Sequence, residues 1–168
     1  MIPSFTRRST LSLLLASVAV AGCEPSRFIE YNGPEVTRIE VQKSARRMYL
    51  MHHDQVLAGY DIELGFAPAG HKTTEGDGRT PEGRYYIDRR NPNSAFYLSL
   101  GISYPNEEDR AQARERGVSP GGDIFIHGTP RPFRRQDDWT VGCIAVTDRE
   151  MRHIYAMVRD GTAIDIYP

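Results

Sequence analysis

Residues 124–147 read IFIHGTPRPFRRQDDWTVGCIAVT, and this stretch carries the clearest strand signals and the most reactive side chains of the chain. Two runs of apolar, β-branched and aromatic residues flank a polar loop, which is typical of two strands and their connection. The first run delivers His127 at its end, and the second follows Cys143. A thiol beside an imidazole is a common nucleophile and base in acyl transfer. The stretch therefore predicts a Cys/His pair held between strands.

Strand patterns and turn residues continue on both sides of this stretch. Fifteen Gly and eleven Pro favour a β-rich chain with many turns. Two short helices are also predicted: one over 107–116, polar almost all round and adding little to the core, and one that begins at a capping box of Thr147 and Glu150. The prediction is a single, mainly β domain in a sandwich or barrel-like arrangement. The predicted strands cover 36–42, 47–51, 55–64, 84–89, 95–104, 123–128 and 163–167.

Length and composition indicate one globular domain. The 168 residues suffice for a single core, and 39% hydrophobic with 26% charged residues excludes disordered and collagen-like classes. Two of the 21 basic residues lie in the first 22 positions, so the rest of the chain has a net charge of about −3. This balance does not indicate nucleic-acid binding.

The N-terminal segment has the pattern of a secretory signal. Arg7 and Arg8 precede an uncharged run from Leu11 to Ala21, which is too short to span a bilayer as a helix. The run ends in Val-Ala-Gly-Cys, which resembles the lipobox of bacterial lipoproteins. We therefore expect a signal peptide over 1–22, a lipidated tether over 23–35 that begins with acylated Cys23, and a catalytic domain over 36–168.

Cysteine usage narrows the role of Cys143. If Cys23 carries lipid, Cys143 has no partner for a disulfide, and a lone thiol in an oxidising compartment is a liability unless it has a function. A disulfide between the two would pin a flexible terminus to the Gly-Cys segment. A buried, inert cysteine is the alternative explanation.

The neighbours of the pair suit acyl transfer. An imidazole that takes the thiol proton would give a thiolate–imidazolium pair. Gly142 leaves its amide unobstructed and could form an oxyanion hole with the Cys143 amide, and the Gly128 carbonyl could fix the His127 tautomer. His52, His53 and Asp54 could be imagined as metal ligands, but the sequence has no second cluster with ligand spacing. A polar hairpin tip explains these three residues better.

Together these motifs resemble the L,D-transpeptidase catalytic domain, also called the YkuD domain. The resemblance rests on His127-Gly128 followed by Thr140-Val141-Gly142-Cys143, on the upstream run GDGRTPEG at 76–83 and on Tyr-Pro-Asn at 104–106. It implies a β-sandwich-like fold that acts on peptidoglycan stem peptides without a cofactor. Cys143 would be the nucleophile, His127 the general base and later acid, Gly128 the carbonyl that orients His127, and Thr140 part of the pocket.

Two positions depart from the family pattern. Many members have His before the Gly-Cys pair and Arg two residues after the Cys, whereas this chain has Val141 and Ala145. The missing guanidinium leaves recognition of a substrate carboxylate unassigned. The candidates to replace it are Arg131, Arg134, Arg135, Arg79 and Arg84.

Other functions remain open at this point. The same acyl-enzyme could be hydrolysed, which would make the protein an L,D-peptidase or an amidase that trims stem peptides or releases a crosslinked protein. A cell-wall-binding lipoprotein with an inactive transpeptidase fold is a third hypothesis. The expected location is the periplasm, with the membrane contacted through the lipid on Cys23. Glu24 beside that cysteine favours the outer over the inner membrane.

Overall fold

The computed structural model describes residues 26–168, which form eight strands, two α-helices and one 3₁₀ turn. The predicted signal peptide over 1–22 and the predicted lipidation site Cys23 lie outside the described residues. The strands are β1 (Arg38–Gln42), β2 (Arg47–His52), β3 (Gln55–Asp61), β4 (Gly83–Asn91), β5 (Ser99–Ile102), β6 (Phe125–His127), β7 (Ile144–Ala145) and β8 (Ala163–Tyr167). The helices are α1 (Glu107–Glu115) and α2 (Asp148–Met157), and the 3₁₀ turn is Arg131–Phe133.

All eight strands belong to one sheet in the order β3-β2-β1-β8-β4-β5-β6-β7. Beyond β3 the chain continues to the opposite edge, where Glu63 pairs with Ala145 and Gly65 pairs with Thr140. The two edges of the sheet therefore meet, and the sheet curls into a barrel-like form. The mainly β, barrel-like domain with two short helices that the sequence predicts is confirmed.

The strands bury alternate side chains, as their period-two patterns predict. In β1, Ile39 and Val41 are fully buried, and they pair across the sheet with Leu50 and Met48 of β2. Helix α2 closes one side of this core through Met151 and three further residues. Those three are Ile154, Tyr155 and Val158.

The prediction that α1 adds little to the core was wrong in one respect. Its capping residue Asn106 is as predicted, but the helix also buries the carboxylate of Asp109. Asp109 accepts a hydrogen bond from the Tyr85 hydroxyl at 2.9 Å and lies 3.0 Å from His71 Nε2. A polar helix is thus fixed to the sheet by a buried polar network rather than by apolar area.

Four predicted strands are shorter in the structure, and the first of them, predicted over 36–42, begins only at Arg38. The strand predicted over 95–104 is limited to Ser99–Ile102, since Tyr97 has a φ of 75°. The strand predicted over 123–128 begins only after Asp123, whose φ is 54°, and it ends at His127. The strand predicted over 55–64 ends at Asp61, and the residues after it form the isolated bridges that close the sheet.

The described part of the predicted tether lies against the domain. Residues 26–35 form no helix or strand. The Arg27 guanidinium donates to the Pro92 and Tyr97 carbonyls at 3.3 Å each and lies over the Tyr97 ring. Among residues 26–168, no helix has the length and hydropathy needed to cross a bilayer.

Candidate active site

His127 ends the short strand β6, with its side chain almost completely buried. Its Nδ1 lies 2.8 Å from the carbonyl oxygen of Gly128, which can only accept a hydrogen bond. Nδ1 therefore carries the proton in the neutral ring, and Nε2 is left as the acceptor. Gly128 must be glycine here, because a Cβ would lie 2.4 Å from Asp148 Oδ1 and 2.9 Å from the Phe96 carbonyl.

Aromatic rings enclose the imidazole, a feature that the sequence reading missed. Phe96 stacks on His127 with ring centroids 4.6 Å apart, and Trp139 meets its edge at 5.6 Å. Phe133 in turn stacks on Trp139 at 4.3 Å. Burial lowers the pKa of His127, although the hydrogen bond to the Gly128 carbonyl opposes this effect. The ring is consequently neutral, and able to accept a proton, at neutral pH.

Cys143 lies on the same face of the sheet as His127. The parallel register pairs His127 with Ala145 and Ile126 with Ile144. Cys143 is therefore level with Phe125, two residues before His127 along the neighbouring strand. Paired residues of parallel strands point to the same side of the sheet. The two-residue offset between neighbouring strands places the Cα atoms of Cys143 and His127 about 8 Å apart.

The thiol is half-exposed, and its Sγ lies 3.6 Å from the carbonyl oxygen of Asp123. Within residues 26–168, no hydrogen bond joins Sγ to His127. Burial raises the pKa of Cys143, and the Asp123 carboxylate adds to this, while the Phe125 amide and the Lys72 ammonium oppose it. The resting site therefore holds a neutral thiol and a neutral imidazole rather than an ion pair.

The turn before Cys143 is organised by Thr140. Its hydroxyl donates to the Cys143 carbonyl at 2.8 Å and accepts from the Gly142 amide at 3.2 Å. The Gly142 amide, which the sequence reading placed in an oxyanion hole, is thus already engaged. Among the hydrogen bonds of residues 26–168, none uses the Cys143 amide as donor, so this amide is the one available to an oxyanion.

The Thr140 turn is held in place by the turn-rich segment after β3. The Thr140 amide donates to the Leu64 carbonyl, and the Phe66 amide donates to the Thr140 carbonyl, both at 3.0 Å. Gly142 has a φ of 123°, and a Cβ there would lie 2.5 Å from the Arg79 carbonyl oxygen. Only glycine fits both the conformation and the space.

The chain is similar to known proteins over nearly all of the described domain. The family model of the L,D-transpeptidase catalytic domain, YkuD, matches residues 36–166. This chain belongs to that family.

Two curated relatives carry L,D-transpeptidase names. YafK of Escherichia coli is 30% identical over 123 residues, which are 68% of this chain and 45% of the relative. YkuD of Bacillus licheniformis is 25% identical over 136 residues, 78% of this chain and 66% of the relative. This chain thus spans less than half the length of the E. coli protein.

Solved structures show the same fold. The helical cell shape determining protein Pgp2 of Campylobacter jejuni gives a TM-score of 0.61 at 25% identity, covering 83% of this chain and 50% of that one. Bd1075 of Bdellovibrio bacteriovorus gives 0.57 at 24% identity, covering 79% and 48%.

The transpeptidase fold separates the arginines that could replace the one missing at Ala145. Arg134 lines a cleft of about 580 Å³ that also includes Ala145, and its guanidinium lies 3.3 Å from Asp148. Arg131 and Arg135 are exposed and do not line this cleft.

Of the two arginines in the upstream region, Arg84 is already paired with a carboxylate. Arg84 makes a two-point contact with the Asp165 carboxylate, at 2.6 and 2.9 Å. Burial lowers the pKa of Lys43, and the neighbouring charge of Arg79 adds to this effect. Arg79 contributes its backbone carbonyl to the site through the contact with Gly142, while its charge lies by Lys43.

Proposed function

We propose that this protein catalyses cysteine-dependent acyl transfer on peptidoglycan stem peptides through a thioester on Cys143. The observation that carries the proposal is the His127 tautomer: Nδ1 is held by the Gly128 carbonyl, and Nε2 is free on the sheet face that also bears Cys143. Membership in the L,D-transpeptidase family supplies the substrate class.

The proposed reaction has two halves. The Cys143 proton passes to His127 Nε2 as Sγ attacks the carbonyl carbon of the L,D-peptide bond, and the Cys143 amide donates to the oxyanion. The tetrahedral intermediate then expels the terminal D-residue, whose amine takes the proton from His127. An acceptor amine attacks the thioester with His127 as base, which forms the new amide and returns the thiol.

Two neutral groups suit the first half. A neutral imidazole can take the proton from a neutral thiol as the sulfur attacks, so no resting ion pair is required. The lowered pKa of His127 keeps the base unprotonated to more acidic pH than a free histidine. His127 is 4% exposed, so the fold largely excludes water from the base.

Recognition of a substrate carboxylate is proposed for Arg134. Arg134 lines the cleft together with Ala145, the residue that pairs with His127 across β6 and β7. Its single contact with Asp148 at 3.3 Å is longer than the two-point contact of Arg84 with Asp165. Arg134→Lys keeps the charge but removes the two-point donor geometry, so KM for a tetrapeptide donor should rise several-fold. Arg135→Lys is the matched control, and an equal effect in both variants would contradict the assignment.

A muropeptide assay tests the function. The purified protein is incubated with tetrapeptide muropeptides, with and without an added amine acceptor, and the products are followed by mass spectrometry. We expect release of the terminal D-residue and an exchanged or crosslinked product, both absent in Cys143→Ala with an unchanged circular dichroism spectrum. Full activity in Cys143→Ala would refute the proposal, and exclusive hydrolysis would assign the protein as an L,D-peptidase.

We further propose export and lipid anchoring, with the domain in the periplasm and the outer membrane favoured over the inner. Support comes from the charged and apolar pattern of residues 1–22, from Cys23 and from Glu24. Arg27, which contacts the Tyr97 carbonyl, is four Cα–Cα steps from Cys23, so an anchored domain would stay within about 14 Å of its lipid. Cys23→Ala should move the protein from the membrane to the soluble fraction, and an unchanged distribution would contradict lipidation.

A further inference from the structure

Lys72 is a charged residue that the fold buries almost completely, at 2% exposure. Its ammonium donates to Asp77 Oδ1 at 2.9 Å and to the Thr74 carbonyl at 3.0 Å. Burying an ion pair costs several kcal/mol per ion before the attraction between the charges is counted. The steps proposed above assign no role to either residue.

Asp77 fixes the loop that follows Lys72. Its carboxylate accepts the amides of Thr73 at 2.8 Å, Thr74 at 3.0 Å and Arg79 at 3.0 Å. Burial alone would raise the pKa of Asp77, but these amides and Lys72 bring it to about 2. The loop from 73 to 79 is therefore wrapped around one ionised carboxylate.

This loop is the surface against which the nucleophile turn packs. The Arg79 carbonyl lies so close to Gly142 that a Cβ there would be 2.5 Å from it. The Gly78 carbonyl accepts the Ala67 amide at 3.1 Å, and it would lie 2.0 Å from a Cβ at Gly65. An unbroken set of contacts thus runs from the ion pair through residues 77–79 to Cys143.

The Lys72 ammonium can affect Cys143 because of the other charges near this thiol. The Asp123 carboxylate, which forms a salt bridge with Arg89 at 2.9 Å, opposes a negative charge on Sγ. His127, on the neighbouring strand, is neutral at rest. Lys72 is the ammonium whose charge acts in the opposite direction, lowering the pKa of Cys143.

We propose that the buried Lys72–Asp77 pair positions the nucleophile: Asp77 fixes the loop under Gly142, and Lys72, paired with Asp77 at 2.9 Å, supplies a positive charge that favours the attacking thiolate. Both residues act through Cys143 and are positioning residues. The inference rests on Cys143 being the nucleophile of the proposed function.

The pH dependence of thiol alkylation tests this role without a substrate. The full chain is treated with iodoacetamide across a pH series, and the Cys143 peptide is quantified by mass spectrometry. In Lys72→Met the midpoint of the rate should move to higher pH by about 0.5 unit or more, roughly a threefold loss of thiolate at a fixed lower pH. Lys72→Arg keeps the charge and should stay near the wild-type midpoint.

Lys43→Met is the matched control. Lys43 is also 2% exposed and forms a buried ion pair, 2.8 Å from Glu82, but its charge does not act on Cys143. If Lys72→Met does not fold, Lys72→Gln removes the charge and keeps a donor. An unmoved midpoint in a folded neutral variant, or an equal shift in Lys43→Met, would overturn the proposal. Failure of the proposed function would instead appear as an inactive wild-type protein in the muropeptide assay, whatever the alkylation midpoints.

Discussion

At the scale of single residues, the site is built so that neither reacting group is charged before substrate arrives. Burial shifts the pKa of Cys143 upward and that of His127 downward. Sγ contacts the Asp123 carbonyl, and among residues 26–168 it makes no hydrogen bond to His127. The site therefore differs from a preformed thiolate–imidazolium pair, and the proposed reaction requires proton transfer within the bound complex.

Phe96 should control the acidic limb of the pH profile. Its ring covers one face of His127 at 4.6 Å, so Phe96→Ala admits water and brings the imidazole pKa back toward 6.5. Because the base must be unprotonated, the rise of kcat/KM with pH should move to higher pH in this variant.

The control for Phe96 is Phe66→Ala, which removes an aromatic ring that is 61% exposed and does not stack on His127. Its acidic limb should stay where the wild-type limb is. If the acidic limbs of the kcat/KM profiles of wild type and Phe96→Ala coincided, the Phe96 ring would not set the pKa of His127.

At the scale of elements, the loop over 73–79 is held by a carboxylate rather than by apolar contacts. Asp77 has a pKa of about 2 in the fold against an ordinary value of 3.8, and its side chain is 15% exposed. A depressed carboxyl pKa stabilises the fold above the unfolded value and loses that effect as the pH falls toward the folded value. The stabilisation is about 2 kcal/mol.

Acid unfolding should report this contribution. The wild-type free energy of unfolding should fall by about 2 kcal/mol between about pH 4 and pH 2 because of Asp77 alone. Asp77→Asn should be less stable at pH 7 and lose less on acidification. Asp54→Asn is the control, because this carboxylate is fully exposed, and its stability should follow the wild-type curve. If Asp77→Asn also followed the wild-type curve, the loop would not depend on the Asp77 charge.

Alternation and turn residues are local signals, and they were sufficient to predict where most strands lie, although four of the strands are shorter in the structure. The catalytic roles of Cys143 and His127 stay a prediction. The parallel β6–β7 register, which pairs His127 with Ala145, was not predicted from the sequence. The direction of Sγ and the engagement of the Gly142 amide were not predictable, since they depend on a φ of 123° and on contacts with Arg79. The stacking of Phe96 likewise depends on the backbone at Tyr97.

At the scale of the whole molecule, the contacts that close the sheet also hold the residues around Cys143. The bridges from Glu63 to Ala145 and from Gly65 to Thr140 join the two sheet edges at the residues that flank Cys143. A change that prevents closure should therefore lower stability and remove the site together.

Gly65→Ala tests this coupling. The added Cβ would lie 2.0 Å from the Gly78 carbonyl and 2.7 Å from the Gly142 amide nitrogen, so the backbone must move. We expect a loss of about 3 kcal/mol in the free energy of unfolding and a fall in Tm of roughly 6–12 °C. Gly122→Ala is the control, because its nearest neighbour would be 3.8 Å away. Equal melting temperatures for the two variants would contradict the coupling.

The central claim is that Cys143 forms a thioester with a stem peptide, and intact-protein mass spectrometry tests it most directly. The protein is mixed with a tetrapeptide donor without acceptor, quenched in acid within seconds and weighed. We predict a mass increase equal to the mass of the donor minus that of the released D-amino acid. The added group should map to Cys143, be lost on hydroxylamine treatment and be absent in Cys143→Ala. A protein that releases the D-residue without this adduct, or that carries it in Cys143→Ala, would contradict the account.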